Sequence, residues 1–239
     1  MTVRIFETAA QASAAVARII ARQLKVNPAS VLGLPTGRTS APVYKELVRL
    51  RPDFSRARTF NLDEFVGLTS QNKRSFRAFM DRHLFCRVNL PTGHVHFLNS
   101  AAEDLDAECA RFERAMARAG GIDLLVLGIG GNGHIGFNEP GPALIARTHR
   151  ARLTAATRRA NAGLFAGRPA MVPREALSMG MGTILSARAV VLIATGRSKA
   201  RAIKALRSGR ITPFLPASFL QLHHNVTLVL DRVAAGRLS

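Results

Sequence analysis

Residues 128–140 read Gly-Ile-Gly-Gly-Asn-Gly-His-Ile-Gly-Phe-Asn-Glu-Pro and hold the densest chemistry in the chain. The glycines let backbone approach a ligand. His134 supplies an imidazole, a side chain that can both take up and give a proton. Glu139, five residues on, offers a carboxylate to fix its tautomer and favour its protonated form. Glycine turn, imidazole and carboxylate together suit proton transfer on a small ligand.

Three further segments complement this one. Residues 33–40, Gly-Leu-Pro-Thr-Gly-Arg-Thr-Ser, lead from an apolar run into a helical pattern. Free backbone N–H groups at such a helix start cradle phosphate. Thr36, Gly37, Arg38, Thr39 and Ser40 are the candidates, although Thr39 or Ser40 also fits a plain N-cap. Residues 195–199, Thr-Gly-Arg-Ser-Lys, form a second strand-to-helix turn and bring the Lys199 ammonium towards the same anion. Asp63 and Glu64 close a strand. A carboxylate there can take a proton from a carbon beside a carbonyl; a helix cap or a surface pair is the alternative.

Other chemistries fit less well. Residues 128–133 match the dinucleotide pattern G-x-G-x-x-G. However, Pro140 stands where its helix should run, and Thr148-His149-Arg150 where an acidic ribose ligand is expected. His134 and Glu139 lack a third metal ligand, and His223-His224 point to opposite sides if extended. Neither a metal nor an organic cofactor is expected.

The elements that must position these groups alternate. Strand patterns cover 31–34, 58–62, 94–98, 122–127, 190–194 and 226–230. Helical patterns run through Val43, Leu47 and Leu50, through Phe76, Phe79, Met80 and Leu84, over 103–119 and over 198–206. This order predicts an α/β fold: one domain over 1–239, with a Rossmann-like, open, mainly parallel sheet and helices on both faces. Residues 154–173 are less periodic, and fit either a lid over the site or a surface excursion.

Composition sets further bounds. The 239 residues are 47% hydrophobic, enough for a large core. No apolar run reaches the ~18 residues of a membrane span, and the start lacks a signal-peptide core. Cys86 and Cys109 show neither metal spacing nor a disulfide framework, which fits a cytoplasmic protein. The net charge is +19, with lysine only at 25, 45, 73, 199 and 204. The arginines are scattered, and one tyrosine with no tryptophan supplies little for base stacking. An anionic small molecule, not nucleic acid, is the expected partner.

Four segments in order, 32–37, 60–68, 133–140 and 196–200, resemble the glucosamine-6-phosphate deaminase family. Weaker similarity covers nearly the whole chain. The related 6-phosphogluconolactonases share the fold and the Gly-His pair but lack the Asn-Glu-Pro ending, so Glu139 separates the two activities. The resemblance implies a hydrolase-type deaminase and isomerase of amino sugar catabolism. It would convert glucosamine 6-phosphate to fructose 6-phosphate and ammonia. His134, tuned by Glu139 and Asn132, would open the sugar ring, and Asp63 would move the C2 proton. Thr36 to Ser40 and Lys199 would hold the phosphate. A relative acting on galactosamine 6-phosphate, or a non-catalytic sugar-phosphate sensor, is the alternative. A monomer or small homo-oligomer is expected.

Several positions depart from that family's pattern. Asn132 stands where many members have aspartate, and Arg38 replaces a small residue. Gly163 stands where an arginine normally clamps the phosphate from the lid; Arg38, Arg158 or Arg168 is expected to supply that charge. Ala143, His149 and Ala151 occupy positions used by hexameric members to bind an acetylated sugar-phosphate activator. No such activation is expected here.

Overall fold

The computed structural model describes residues 1–236; the last three residues of the domain expected over 1–239 lie outside the described residues. The chain opens with β1 (Thr2–Phe6) and α1 (Ala9–Val26). A capping box starts α1: Thr8 Oγ1 accepts from the Gln11 N–H, and Gln11 Oε1 accepts from the Thr8 N–H. Next come β2 (Val31–Leu34), α2 (Ser40–Leu50), β3 (Arg58–Asn61), β4 (Asp63–Phe65) and α3 (Phe76–His83). The middle contains β5 (Val95–His96), α4 (Leu105–Arg118), β6 (Leu124–Leu127), β7 (His149–Arg152) and α5 (Ala155–Asn161). The chain then forms β8 (Glu175–Ser178), α6 (Met181–Leu185), β9 (Val190–Ala194), α7 (Ala200–Leu206), β10 (Val226–Asp231) and α8 (Arg232–Ala235).

Seven strands make one parallel sheet in the order β1-β10-β9-β6-β2-β3-β5. Its central strands β2, β6 and β9 are buried throughout, as a sheet covered on both faces requires. The two faces carry separate apolar cores. One includes Phe60, Phe112 and Leu228; the other includes Ile20, Tyr44 and Leu47. From β2 the chain first builds outward through β3 and β5, then returns to place β6 on the other side of β2. The carboxyl ends of β2 and β6 therefore flank a switch in winding direction, where open α/β sheets bind ligands.

The α/β class and the parallel sheet agree with the sequence pattern. A second, antiparallel sheet, β4-β8-β7, does not follow from it. Asp63 and Glu64 do not end β3. They form β4, with Asp63 paired to Ser178 and Glu64 to Leu177. Three-residue strands carry too little pattern to be read. The strand expected over 94–98 contracts to β5, and the helix over 198–206 divides into a 3-10 turn, Arg197–Lys199, and α7.

Residues 154–173 are neither strand nor irregular coil. Thr154 caps α5, and 3-10 turns follow at Ala162–Phe165 and Pro169–Met171. Phe165 and Val172 pack in a third cluster with Phe65, Phe76 and Phe137.

Candidate active site

The glycine turn after β6 is folded around His134. A Cβ on Gly130 would stand 2.5 Å from the imidazole Cε1, so a side chain there would displace the ring. The ring's Nδ1 is buried without a hydrogen-bond partner and lies 3.7 Å from Glu139 Oε2. That distance is an ion-pair contact when the imidazole is protonated, and too long for a hydrogen bond.

Asn132 joins the two. Its Nδ2 donates to Glu139 Oε2 at 3.1 Å, and its Oδ1 accepts from the His134 backbone N–H at 3.2 Å. The other carboxylate oxygen, Oε1, accepts from the Thr154 hydroxyl at 3.3 Å. Burial opposes a charge on Glu139. The His134 ring and the polar Thr157 and Asn132 side chains outweigh it, and hold the carboxyl at about 2. The carboxylate is thus ionised throughout the neutral range.

Asp63 reaches the same loop from β4. A Cβ on Gly136 would lie 2.8 Å from Ser178 Oγ and 3.8 Å from Asp63 Oδ2. Ser178 is the cross-strand partner of Asp63, and its Oγ accepts from the Phe137 N–H at 3.0 Å. Asn138 Nδ2 donates to the Ile135 and Met179 carbonyls, both at 2.8 Å. The second sheet therefore fixes the loop against Asp63. Asp63 is buried, and desolvation, followed by the charge of Glu64, raises its pKa well above the usual carboxylate range.

The candidate phosphate cradle lies where β2 ends. Gly37 adopts φ +107°, a conformation that side chains disfavour. Its carbonyl accepts from the Ser40 and Ala41 N–H groups and from Ser40 Oγ. Thr39 is in helical conformation and its side chain caps nothing, so the plain N-cap alternative fails there. Among the described residues no acceptor meets the N–H groups of Gly37, Arg38 and Thr39.

Lys199 faces this turn. Its pKa is lowered, first by desolvation and then by the Arg38 charge. Among the described residues neither cation forms an ion pair with a carboxylate. Gly196 orients the second turn, its N–H donating to Asp231. A Cβ on Gly131 would sit 3.3 Å from the Ser198 carbonyl oxygen, so the glycine turn lies against the Lys199 turn. All four segments meet at the switch between β2 and β6.

Two of the proposed substitutes for a lid arginine separate here. Arg38 lies beside Lys199. Arg158 is committed elsewhere: Nε donates to the Val172 carbonyl and Nη2 to those of Pro169 and Ala170. It closes the 154–173 segment on itself.

Sequence reasoning missed two contributors. Tyr44, buried in α2, donates its phenol to the Pro35 carbonyl and so braces the cradle from beneath. Thr154 ties the start of α5 to Glu139. Its hydroxyl three residues before Thr157 is an N-cap signal, but nothing local in sequence points it at residue 139. His223 serves the fold: Nε2 meets the Ala187 carbonyl, and Nδ1 accepts from the Asn225 N–H. Among the described residues no cluster of three metal-ligating side chains occurs, and no helix is long and apolar enough to cross a membrane.

The chain resembles known proteins along nearly its whole length. Residues 6–229 match the family model described as glucosamine-6-phosphate isomerases/6-phosphogluconolactonase. A glucosamine-6-phosphate deaminase of Alkaliphilus oremlandii is 46% identical, covering 100% of both chains. One of Bacillus velezensis is 47% identical, covering 92% of each. The solved structure of a monomeric glucosamine-6-phosphate deaminase superposes with a TM-score of 0.96 at 41% identity, covering 99% of this chain and 100% of that one. A 6-phosphogluconolactonase from Trypanosoma cruzi, at 18% identity and a TM-score of 0.80, shares the fold. The chain belongs to the family of glucosamine-6-phosphate isomerases and 6-phosphogluconolactonases.

Proposed function

We propose that the protein is an amino-sugar-phosphate deaminase and isomerase that converts glucosamine 6-phosphate and water to fructose 6-phosphate and ammonia. One observation carries this reading: an ionised Glu139, linked by Asn132 to His134, stands beside a separate, buried carboxylate of raised pKa, Asp63.

Each group then has a distinct task. The N–H groups at Gly37, Arg38 and Thr39, with Lys199, bind the phosphate and fix the sugar's position. Thr36 and Ser40 complete the turn. His134 gives a proton to the ring oxygen while the C1 hydroxyl loses one, which opens the ring to the aldehyde. Glu139 stabilises the imidazolium and Asn132 sets its geometry.

Asp63 takes the proton from C2, and the resulting enol amine accepts a proton at C1. The product is an imine at C2. Water adds there and nitrogen leaves as ammonia, giving the ketose. A base removing a proton beside a carbonyl works best when its pKa lies near the working pH, and the burial of Asp63 moves it in that direction. The 154–173 segment acts as the lid, a reading supported by the Thr154 hydroxyl's bond to Glu139.

Ammonia release from glucosamine 6-phosphate, with galactosamine 6-phosphate as a parallel substrate, tests the reading. Release that Asp63→Asn abolishes is expected. Faster release from the galactosamine compound reassigns the sugar. No release from either, with both still binding, makes the protein a sensor.

A further inference from the structure

Asp63 and Glu64 are adjacent in β4, so their side chains leave opposite faces of the strand. The inference drawn from this pair rests on Asp63 being the base. Glu64 is not the surface group that its type suggests. It is 2% exposed and accepts three backbone hydrogen bonds: Oε1 from Phe65 and Phe76, and Oε2 from Arg77, each at 3.0 Å. Phe76 and Arg77 open α3, so the carboxylate satisfies two of the free donors at that helix start. Ser75 satisfies a third, accepting from Ala78.

The clamp reaches further. Phe76 stacks nearly parallel on Phe137, with centroids 6.0 Å apart at 13°, and Phe65 packs against both rings. Phe137 lies between His134 and Glu139 in sequence. Glu64 therefore fastens β4 to α3, and α3 packs on the ring-opening loop.

We propose that Glu64 is a positioning residue for Asp63: its carboxylate, held behind β4 by the start of α3, fixes the base relative to the His134–Glu139 loop and, once ionised, sets its negative charge against it.

Burial pushes the Glu64 carboxyl up, to about 7, and its three backbone donors pull against that rise. Among the described residues, no cation opposes Glu64 from α3, because the Arg77 guanidinium pairs with Asp81. From α2, Asp63 faces the Tyr44 phenol, which is buried and shifted further towards its neutral form by burial and then by Asp63. From β8 it faces the Ser178 hydroxyl. Burial, followed by the neighbouring Glu64 charge, raises the pKa of Asp63.

The test is the pH profile of kcat in Glu64→Gln, Glu64→Asp and Asp63→Asn. Turnover that needs ionised Asp63 rises with pH through its pKa. Removing the charge behind it moves that acid limb to lower pH, by roughly half a unit to one unit in Glu64→Gln. KM is expected to change less than about twofold, because Glu64 does not touch the cradle. An acid limb that stays in place in a folded Glu64→Gln protein overturns the proposal, whatever the loss of turnover.

If Glu64→Gln does not fold, Glu64→Asp decides. It keeps the charge but shortens the reach to α3. A reduced kcat with an unmoved limb supports the proposal; a wild-type kcat or a displaced limb overturns it. Asp63→Asn separates this inference from the reading beneath it. Wild-type turnover in that variant removes Asp63 as the base, independently of Glu64.

Discussion

The Asn132 amide donates to Glu139 at 3.1 Å, while its carbonyl oxygen holds the His134 N–H at 3.2 Å. A neutral amide can both donate and accept; an ionised carboxylate can only accept. Asparagine at this position thus lets Glu139 keep its full charge for the imidazole.

Asn132→Asp tests this. Two carboxylates at that separation raise each other's pKa. Glu139, now held at about 2, is expected to titrate higher. The acid limb of the ring-opening step, followed by NMR of a bound sugar analogue, would move towards neutral pH. A limb unchanged in this variant removes Glu139 from that step.

Gly130→Ala places a methyl group 2.5 Å from the His134 ring. Misplacing a catalytic group by about 1 Å can cost about 100-fold in rate. A fall in kcat of that order, with phosphate binding retained, is the expected result. Steady-state kinetics and phosphate titration measure the two effects separately.

Arg38→Ala removes one of two cations at the cradle. A charge-assisted hydrogen bond contributes about 1.5–3 kcal/mol. KM is expected to rise about tenfold or more, with kcat little changed. An unchanged KM excludes Arg38 from phosphate binding. Arg158→Ala is expected to lower thermal stability instead, because its guanidinium holds three backbone carbonyls.

Asp63→Asn is expected to stabilise the fold while abolishing turnover. The folded-state pKa of Asp63 is raised, so the neutral form is the one the fold prefers. Its favourable contribution is complete below the unfolded pKa of about 3.9. It is lost progressively as pH rises towards the folded pKa. The variant keeps a neutral side chain at every pH. Its Tm advantage should therefore be small at pH 4 and larger at pH 8. A gain of about 1 kcal/mol corresponds to about 2–4 °C at this chain length.

N-acetylglucosamine 6-phosphate is expected to leave the half-saturating substrate concentration unchanged. Besides Ala143, His149 and Ala151, the segment beyond Pro140 is tied down. Glu113 accepts from the Thr148 N–H and hydroxyl at 2.7 and 2.6 Å, and from the Thr183 hydroxyl at 2.5 Å. A fall in that concentration would refute the expectation.

The central sheet was legible in the sequence because its strands are long, apolar and separated by helical periodicity. Residues 128–140 stand out in the sequence because glycine, histidine and glutamate rarely cluster by chance in one loop after an apolar strand. The second sheet was not: β4 spans only Asp63–Phe65, and its pairing with β8 joins residues over a hundred positions apart. In the sequence Glu64 fits a carboxylate base, a helix cap or a surface pair. It is a cap, yet for a helix that starts twelve residues later. Sequence names side chains at the sheet edge, but not the Tyr44 and Thr154 contacts, which depend on how turns pack together.

Lys199 and Arg38 repel each other across a cradle that among the described residues has no carboxylate of its own. An anion arriving there relieves that repulsion, so ligand binding and folding share one free energy. Inorganic phosphate alone should then raise the melting temperature, and the protein's lifetime in a cell would track the supply of phosphorylated sugar. The same two cations proposed to recognise a substrate would make its scarcity a signal for turnover of the protein itself.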